Sequence, residues 1–331
     1  MSMTKIPLEY AIGVDIGGTN TKCGIVNRRG EVLQYEQLST PEYESPEAFV
    51  DALCVRLNLM IEKVGGIELI KGIGIGAPNG NYYTGTIEYA PNLRWVGVVP
   101  LADMVSQRMG LATALTNDAN AAAVGEMQYG AAKGMRDFIT ITLGTGVGSG
   151  IVANGQLIYG HDGFAGELGH TIIRPGGRPH WSTQLKGSLE AYASATGVVL
   201  TAKEMLQNEP EKPSMLRKYN LEELTSKQIF DCAMQGDEIS QSVYRFTGQI
   251  LGESLANFVM FSSPEAIILF GGLIKAGNLI FDPTIEHMER NLLPIFKNKV
   301  KVIKSDLHEA DAAILGASAL VWEMKQSSSS L

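Results

Sequence analysis

The chain is poor in cysteine and has no long apolar run. Its three cysteines, Cys23, Cys54 and Cys232, are scattered and never in C-x-x-C spacing, which argues against a disulfide framework and favours reduced thiols. No apolar run approaches the roughly 18 residues of a membrane span, and the first ten residues lack the apolar core of a signal peptide. These absences predict a cytoplasmic protein with no membrane partner.

Basic residues are also in short supply. With 27 Lys and Arg against 35 Asp and Glu the net charge is -8, whereas a nucleic-acid surface is usually basic. The composition therefore argues against a nucleic-acid partner. It does not argue against ATP, because a few local groups are enough to meet the phosphates of a nucleotide.

Two familiar nucleotide-binding strings are missing as well. No G-x-x-x-x-G-K-[ST] P-loop occurs, and the first glycine-rich turn leads into a strand where the dinucleotide fingerprint requires a helix. What is present is a chain of 331 residues, a length that predicts about two domains. Its 45% hydrophobic and 19% charged content is typical of a globular protein that buries a core.

The most informative stretch is AIGVDIGGTNTKCGIVNRRGEV, residues 11–32. Its β-branched residues predict a strand, a glycine-rich turn and a second strand. Glycines allow a ligand to approach the backbone, and successive N–H groups beside a lysine suit a phosphate. An ordinary glycine hairpin is the alternative. The candidate nucleotide-binding residues of this turn are Asp15, Gly17, Gly18, Thr19, Asn20 and Lys22.

A second copy of this pattern occurs at residues 138–160, FITITLGTGVGSGIVANGQLIYG. It again has a β-rich arm, a turn of Gly and Thr, and a second arm that begins Gly-Ile-Val. Two such hairpins suggest two like domains, each presenting a phosphate loop to a shared cleft. The second turn adds Gly144, Thr145 and Gly146 to the candidate residues.

Asn117 and Asp118 stand where a predicted strand gives way to a helix. An Asp or Asn at such a junction is a good helix N-cap. The alternative is a catalytic carboxylate at the carboxyl end of a strand, where α/β folds place their ligands. A similar choice applies to His161, His170 and His180, which fit either a metal site or polar loops.

Together these motifs resemble the ROK family of sugar kinases and repressors, within the actin-like and hexokinase-like ATPases, and most of all its bacterial glucokinases. The resemblance runs from Ile12 to about Leu320 and includes the NDANAAA string at residues 117–123 and Glu167-Leu168-Gly169-His170. It implies an α/β fold of two actin-like (ribonuclease H-like) domains with an interdomain active-site cleft. The implied domains are residues 1–117 plus 309–331, closed by a C-terminal helix, and residues 118–308.

The resemblance also implies an activity, the transfer of the γ-phosphate of ATP to the 6-hydroxyl of glucose. Asp118 is implied as the catalytic base. Mg²⁺ is expected as the cofactor, reached by Asp15 through water. The Gly271–Gly272 pair, which turn chemistry alone also explains, is expected to close over the adenosine. The implied sugar-binding residues are Asn92, Asn117, Asp118, Glu167, His170 and Glu190.

One segment departs from the family pattern. Most ROK proteins carry a cysteine-rich stretch before the glutamate that matches Glu190 and bind a structural zinc there. Here residues 178–192 read RPHWSTQLKGSLEAY, with no cysteine and one extra residue. His170 and His180 alone make a poor zinc site, so no structural zinc is expected. We expect packing around Trp181 and Leu189 to hold this segment instead.

The sequence leaves the sugar open, since relatives also use mannose, N-acetylglucosamine, N-acetylmannosamine or fructose. A ROK repressor is the competing class. Such proteins carry a helix-turn-helix domain ahead of the first phosphate loop, where this chain has only MSMTKIPLEY. We therefore expect an enzyme, with a non-catalytic sugar-binding regulator as the less favoured alternative. An actin-like structural ATPase would not need the Glu167/His170 motif. Relatives are often dimers, so a homodimer is compatible with the resemblance.

Overall fold

The computed structural model describes residues 9–308 and 311–324, which group into two compact units. The first unit contains the chain up to Gly134, Leu157–Gly166 and the described residues from Asp306 onward. The second contains Met135–Gln156 and Glu167–Ser305. The domain boundaries expected from the sequence stay a prediction, and the expected boundary at residue 309 lies outside the described residues.

The first part of the chain builds a five-stranded mixed sheet, ordered β3-β2-β1-β4-β8, and a small sheet, ordered β5-β6-β7. Strands β1, β2 and β3 are antiparallel neighbours, whereas β1, β4 and β8 run parallel. The elements are β1 Tyr10–Ile16, β2 Asn20–Asn27, β3 Val32–Ser39, α1 Pro46–Lys63, β4 Ile70–Ala77, β5 Gly80–Asn81, β6 Thr86–Glu88, β7 Val98–Val99, α2 Leu101–Met109, β8 Thr113–Asn117 and α3 Asp118–Tyr129.

The rest of the chain builds a second five-stranded mixed sheet, ordered β11-β10-β9-β12-β13. Strands β9 and β10 are antiparallel, whereas β9, β12 and β13 run parallel. The elements of this part are β9 Phe138–Leu143, β10 Val147–Ala153, β11 Gln156–Leu157, α4 Glu190–Ala193, α5 Ala195–Asn208, α6 Ser226–Met234, α7 Glu238–Ser262, β12 Ala266–Phe270, α8 Asn278–Asn291 and β13 Lys301–Lys304. The last helix, α9 Ala312–Glu323, belongs to the first unit.

Local sequence explains where the helices of the first unit begin and which faces they bury. The Ser45 hydroxyl accepts a hydrogen bond from the Ala48 N–H, and Pro46 fits the first helical position of α1. Phe49, Leu53 and Leu57, spaced four residues apart, are fully buried in the core of this unit. The hairpin that the sequence predicts at residues 11–32 is confirmed.

Glycines in the central strands allow helix α9 to lie directly on the first sheet. A Cβ atom added to Gly13 or Gly74 would overlap the backbone carbonyls of Ile314 and Ala317, respectively. Helix α3, which the boundary expected at residue 117 assigns to the second domain, groups with the first unit. The reason is close packing on α9, since a Cβ on Gly125 would lie 2.8 Å from the Cα atom of Gly316.

The second unit has its own core, in which helices α5 and α7 pack against the sheet. Asp237 caps α7 by accepting a hydrogen bond from the Ser240 N–H. The predicted α/β class is confirmed, with two mixed five-stranded sheets. In the described part of the chain no helix has both the length and the apolar character needed to cross a membrane. All three cysteines are buried as free thiols.

Candidate functional site

Two carboxylates of the first unit lie at the ends of neighbouring parallel strands. Asp15 is near the end of β1 and pairs in register with Gly76 of β4. Asp118 follows β8, whose Thr116 pairs with the same Gly76. A Cβ atom on Gly76 would lie 3.6 Å from the Cα atom of Asp118 and 4.0 Å from Oδ1 of Asp15. The absence of a side chain at residue 76 therefore leaves room for the Asp15 carboxylate and the backbone of Asp118 close to one point.

The surroundings of Asp15 and Asp118 disfavour the ionised form of both carboxyl groups. Burial, and then the charge of Asp118, raise the pKa of Asp15 to about 6, against an opposing effect of Lys22. Burial of the carboxyl group among neighbouring atoms also raises the pKa of Asp118, although the residue as a whole keeps an exposed surface. Backbone hydrogen bonds oppose that shift, including one of 2.8 Å from the Ala119 N–H to Oδ1. Asp118 is thus an accessible carboxylate with a raised proton affinity.

Asn117, and not Asp118, provides the helix cap at this junction. Oδ1 of Asn117 accepts a hydrogen bond of 2.9 Å from the Asn120 N–H. The capping interpretation of Asp118 is therefore wrong. The Asn117 amide nitrogen is the atom of that side chain that the cap does not use.

The glycine-rich turn between β1 and β2 lies against the loop that contains Asn92. The Gly17 N–H donates a 3.0 Å hydrogen bond to the Asn20 carbonyl, which closes the turn. A Cβ on Gly18 would lie 2.7 Å from the Asn92 carbonyl oxygen. Lys22 pairs in register with Asp15 across the hairpin. The structure therefore brings together the predicted residues of the first turn, Asp118 and Asn92, while Thr19 and Asn20 remain exposed.

In the second unit, the turn between β9 and β10 is attached to Glu190. The Val147 N–H donates a 2.6 Å hydrogen bond to Oε2 of Glu190. A Cβ on Gly146 would lie 2.5 Å from that same oxygen. Glycine is therefore needed at residue 146 for Glu190 to reach the turn. The first turn of α5 also supports the loop, because the Ala195 N–H donates to the Gly144 carbonyl at 2.8 Å.

The motif of residues Glu167 to His170 packs against strand β10. Its residues Leu168–His170 form a short 3-10 helix, whose Leu168 N–H donates to the Ser149 hydroxyl at 3.2 Å. Nε2 of His170 lies 3.9 Å from a carboxylate oxygen of Glu167. The buried Nδ1 atom of His170 has no hydrogen-bond partner among the described residues. The motif thus presents a carboxylate and an imidazole side by side.

His180 also lies in this region, and its sequence context indicates only a metal site or a polar loop. Its Nε2 atom lies 2.6 Å from Oε1 of Glu190. The rings of His170 and His180 are perpendicular, with centroids 5.6 Å apart. The described residues contain no group of three or more His, Cys, Asp or Glu side chains arranged to hold a metal ion.

The departing segment is held only in part as predicted. Leu189 is fully buried, but Trp181 is 39% exposed. Hydrogen bonds of Arg178 and His180 connect the segment to α4 and α5 instead. The periodicity of a sequence indicates which residues pack in an apolar core. It does not indicate which polar side chains will form a hydrogen-bond network of this kind.

A cavity of about 480 Å³ opens beside the second turn. Its size is within the range of roughly 300–1,000 Å³ that is usual for small-molecule sites. Thr145 and Gly272, both predicted to contact a nucleotide, line it. Helix α6 was not predicted to take part, because its side chains here follow no recognised motif. Three lining residues, Ser226, Phe230 and Asp231, are on α6. Tyr244 of α7 and Lys275 also line the cavity.

Comparisons with known proteins show which proteins this chain is similar to. The model of the ROK family matches residues 11–324. The glucokinase of Thermotoga maritima is 33% identical over 96% of this chain and 99% of its own length. The xylose repressor of Caldicellulosiruptor bescii is 30% identical over 94% of this chain and 77% of its own length. A crystal structure of a ROK family glucokinase from Streptomyces griseus in complex with glucose and AMPPNP superposes with a TM-score of 0.77 at 33% identity, covering 95% of this chain and 100% of that one.

Proposed function

Because this chain belongs to the ROK family, which includes both sugar kinases and repressors, we propose that it is an ATP-dependent kinase that phosphorylates the 6-hydroxyl of glucose. The observation that carries the proposal is the state of Asp118. This carboxylate is accessible, has a raised pKa and does not serve as the helix cap. A proton acceptor is the one chemical group that phosphoryl transfer to a hydroxyl requires from the protein in addition to positioning and charge stabilisation.

The proposed role of Asp118 is to accept the proton of the attacking hydroxyl. A base is most effective when its pKa lies near the working pH, so the raised proton affinity of Asp118 suits that role. Asn92, Asn117, Glu167, His170 and Glu190 are proposed to bind the other sugar hydroxyls. A polyol needs many paired donors and acceptors, and the unpaired Nδ1 atom of His170 is one polar atom that gains from a ligand.

The nucleotide is proposed to bind at the two glycine-rich turns and in the cavity of the second unit. The turn of the first unit combines close backbone approach with the ammonium group of Lys22. In the second unit, Thr145 and Gly272 line a cavity whose other walls include the ring of Phe230. A mixed apolar and polar cavity of about 480 Å³ suits a nucleoside better than a bare phosphate. The complex of a similar glucokinase with AMPPNP supports ATP as the donor.

A magnesium ion fits the residues around Asp15. Mg²⁺ prefers carboxylate oxygen and water, and the mutual repulsion between Asp15 and Asp118 is what a bound cation would relieve. A bound Mg²⁺ ion would neutralise part of the charge of the phosphates. Asp15 is proposed to hold it, while Asp118 keeps the proton-accepting role.

The test is a coupled assay of ADP release with Mg-ATP over a panel of hexoses and N-acetylhexosamines, starting with glucose. We expect turnover that depends on glucose and is lost in Asp118→Asn. Turnover with mannose, fructose or an amino sugar in place of glucose would keep the chemistry and reject the substrate. ADP release that does not depend on any sugar would reject the sugar kinase.

The likeness to a xylose repressor supports a second candidate, a sugar-binding regulator without catalysis. Isothermal titration with the same sugars separates the two candidates. Sugar binding without turnover in the presence of Mg-ATP would favour the regulator.

A further inference from the structure

The carboxylate of Glu190 is held at both of its oxygen atoms. The Val147 N–H donates to Oε2 at 2.6 Å, and His180 contacts Oε1 at 2.6 Å. The side chain of His180 is 3% exposed and that of Glu190 is 13% exposed, so water competes little for this contact. Removing His180 therefore frees one oxygen of a mostly buried carboxylate.

The hydrogen-bond network assigns the tautomer of His180. Its Nδ1 atom accepts hydrogen bonds from the N–H groups of Ser182 at 3.3 Å and Thr183 at 3.1 Å. An atom that accepts from two N–H groups carries no proton, so the proton of the neutral ring is on Nε2. Nε2–H therefore donates to the carboxylate of Glu190.

The segment that contains His180 is itself fixed by Arg178. All five N–H donors of this guanidinium are used. The acceptors are the carbonyls of Ala191 and Gly197, the Thr201 hydroxyl and both carboxylate oxygens of Glu204. The guanidinium also lies 4.6 Å from the centroid of the Tyr192 ring. Arg178 thus connects the segment to α4 and α5.

We propose that His180 is a positioning residue, which holds the Glu190 carboxylate in the orientation that binds sugar. The proposal rests on the proposed function in one respect, the role of Glu190 as a sugar ligand. A carboxylate held by Val147 and His180 is oriented before the sugar arrives, so less freedom is lost on binding. His180 contacts Glu190 and does not need to contact the sugar. It is therefore distinct from the sugar-binding residues.

The kinetic test compares two variants of His180 and one control variant with the wild type. His180→Leu removes the donor, and we expect the KM for the sugar to rise about 10- to 100-fold, the range for a hydrogen bond to a charged group. The KM for ATP should stay within about twofold, because uniform loss of sugar binding does not act on the nucleotide. His180→Gln keeps an N–H donor at a similar reach, and we expect it to restore most of the sugar affinity.

A destabilising variant serves as the control for the kinetic test. Leu206→Ala removes a buried side chain near the C-terminal end of α5. We expect it to lower the melting temperature while the KM for the sugar stays near the wild-type value. The proposal is overturned if His180→Leu and Leu206→Ala change the KM for the sugar equally, or if His180→Gln is no better than His180→Leu.

A second measurement does not need activity. The chain has five histidines, so selective ¹⁵N labelling gives a simple long-range ¹H–¹⁵N spectrum. We expect His180 to be protonated at Nε2 only, and Glu190→Gln to shift its Nε2 signal while the exposed His161 is unchanged. A proton on Nδ1, or no response to Glu190→Gln, would overturn the proposal. If the wild type neither binds nor phosphorylates any sugar, the proposed function fails, whereas this spectrum still decides whether His180 orients Glu190.

Discussion

The turn between β1 and β2 and the turn between β9 and β10 have similar sequences, yet they obtain their charged groups differently. Asp15 and Lys22 of the first turn are on the hairpin itself and pair in register. The second turn has no charged residue between Leu143 and Val147. It receives the carboxylate of Glu190 from a helix 43 positions along the chain. Chemistry that is local in one hairpin is therefore supplied by tertiary contact in the other.

This difference has a consequence for sequence interpretation. A glycine in the first turn allows a ligand or a neighbouring loop to approach the backbone, as Gly18 does with Asn92. Gly146 instead makes room for a protein carboxylate. The two turns look alike in sequence because both need residues without a Cβ atom. What occupies the space is different in each.

The largest effect is expected from the carboxylates beside the first turn. Asp118→Asn removes the proposed proton acceptor and keeps the size of the side chain, so we expect kcat to fall by about 10²- to 10⁴-fold. Sugar affinity, measured by isothermal titration, should change little. The matched control is Asp103→Asn, an exposed acidic residue in the first turn of α2, which should keep full turnover. An active Asp118→Asn enzyme would remove Asp118 from the role of base.

A smaller effect is expected from the second turn. Gly146→Ala places a methyl group 2.5 Å from Oε2 of Glu190, too close for two non-bonded atoms, so the carboxylate must move and its contact with the Val147 N–H is disturbed. We expect kcat/KM for the sugar to fall about 10- to 100-fold, in line with the loss of a hydrogen bond to a charged group. Steady-state kinetics at fixed, saturating Mg-ATP measures this.

Gly144→Ala is the matched control for that prediction. A Cβ atom at residue 144 would meet nothing within 4 Å. Because Gly144 is itself a proposed nucleotide-binding residue, the two variants are compared by their sugar affinity without nucleotide, measured by isothermal titration, which Gly144→Ala should leave close to the wild-type value. Equal losses in the two variants would mean that the turn needs flexibility and not space for Glu190.

The smallest effect is a pH dependence of stability caused by Asp15. Its pKa is raised from 3.8 to about 6 in the folded protein. Between these pH values the folded state holds a proton that the unfolded chain has lost, so this group lowers stability as the pH rises through that window. Asp15→Asn removes the effect. We expect its melting temperature to be close to the wild-type value near pH 4 and a few degrees higher above pH 6.

Scanning calorimetry without ligands measures this difference across the pH range. A stability difference that shrinks as the pH rises would contradict a raised pKa at Asp15. Lys22→Met offers a check in the opposite direction, since Lys22 lowers the pKa of Asp15. Without that ammonium group, the pH-dependent loss of stability should increase.

Much of the fold could be predicted from the sequence because it depends on local patterns. The cap at Ser45 and the four-residue spacing of Phe49, Leu53 and Leu57 mark α1. Alternating β-branched residues and glycines mark the two hairpins. The NDANAAA string at residues 117–123 locates the strand-to-helix junction, although the sequence did not show which of its first two residues is the cap.

The sequence by itself determined the family, the two-sheet α/β class and the identity of the polar residues at each turn, because motifs and periodicity are properties of neighbouring positions. Tertiary structure alone decided that Gly76 brings Asp15 and Asp118 near one point, and that His180 and Val147 hold Glu190. It also decided that hydrogen bonds of Arg178, and not packing around Trp181, join the buried Leu189 in holding the segment of residues 178–192. The physical reason is that hydrogen bonds and charge interactions depend on distance and direction in space, which residues far apart in the chain acquire only by folding.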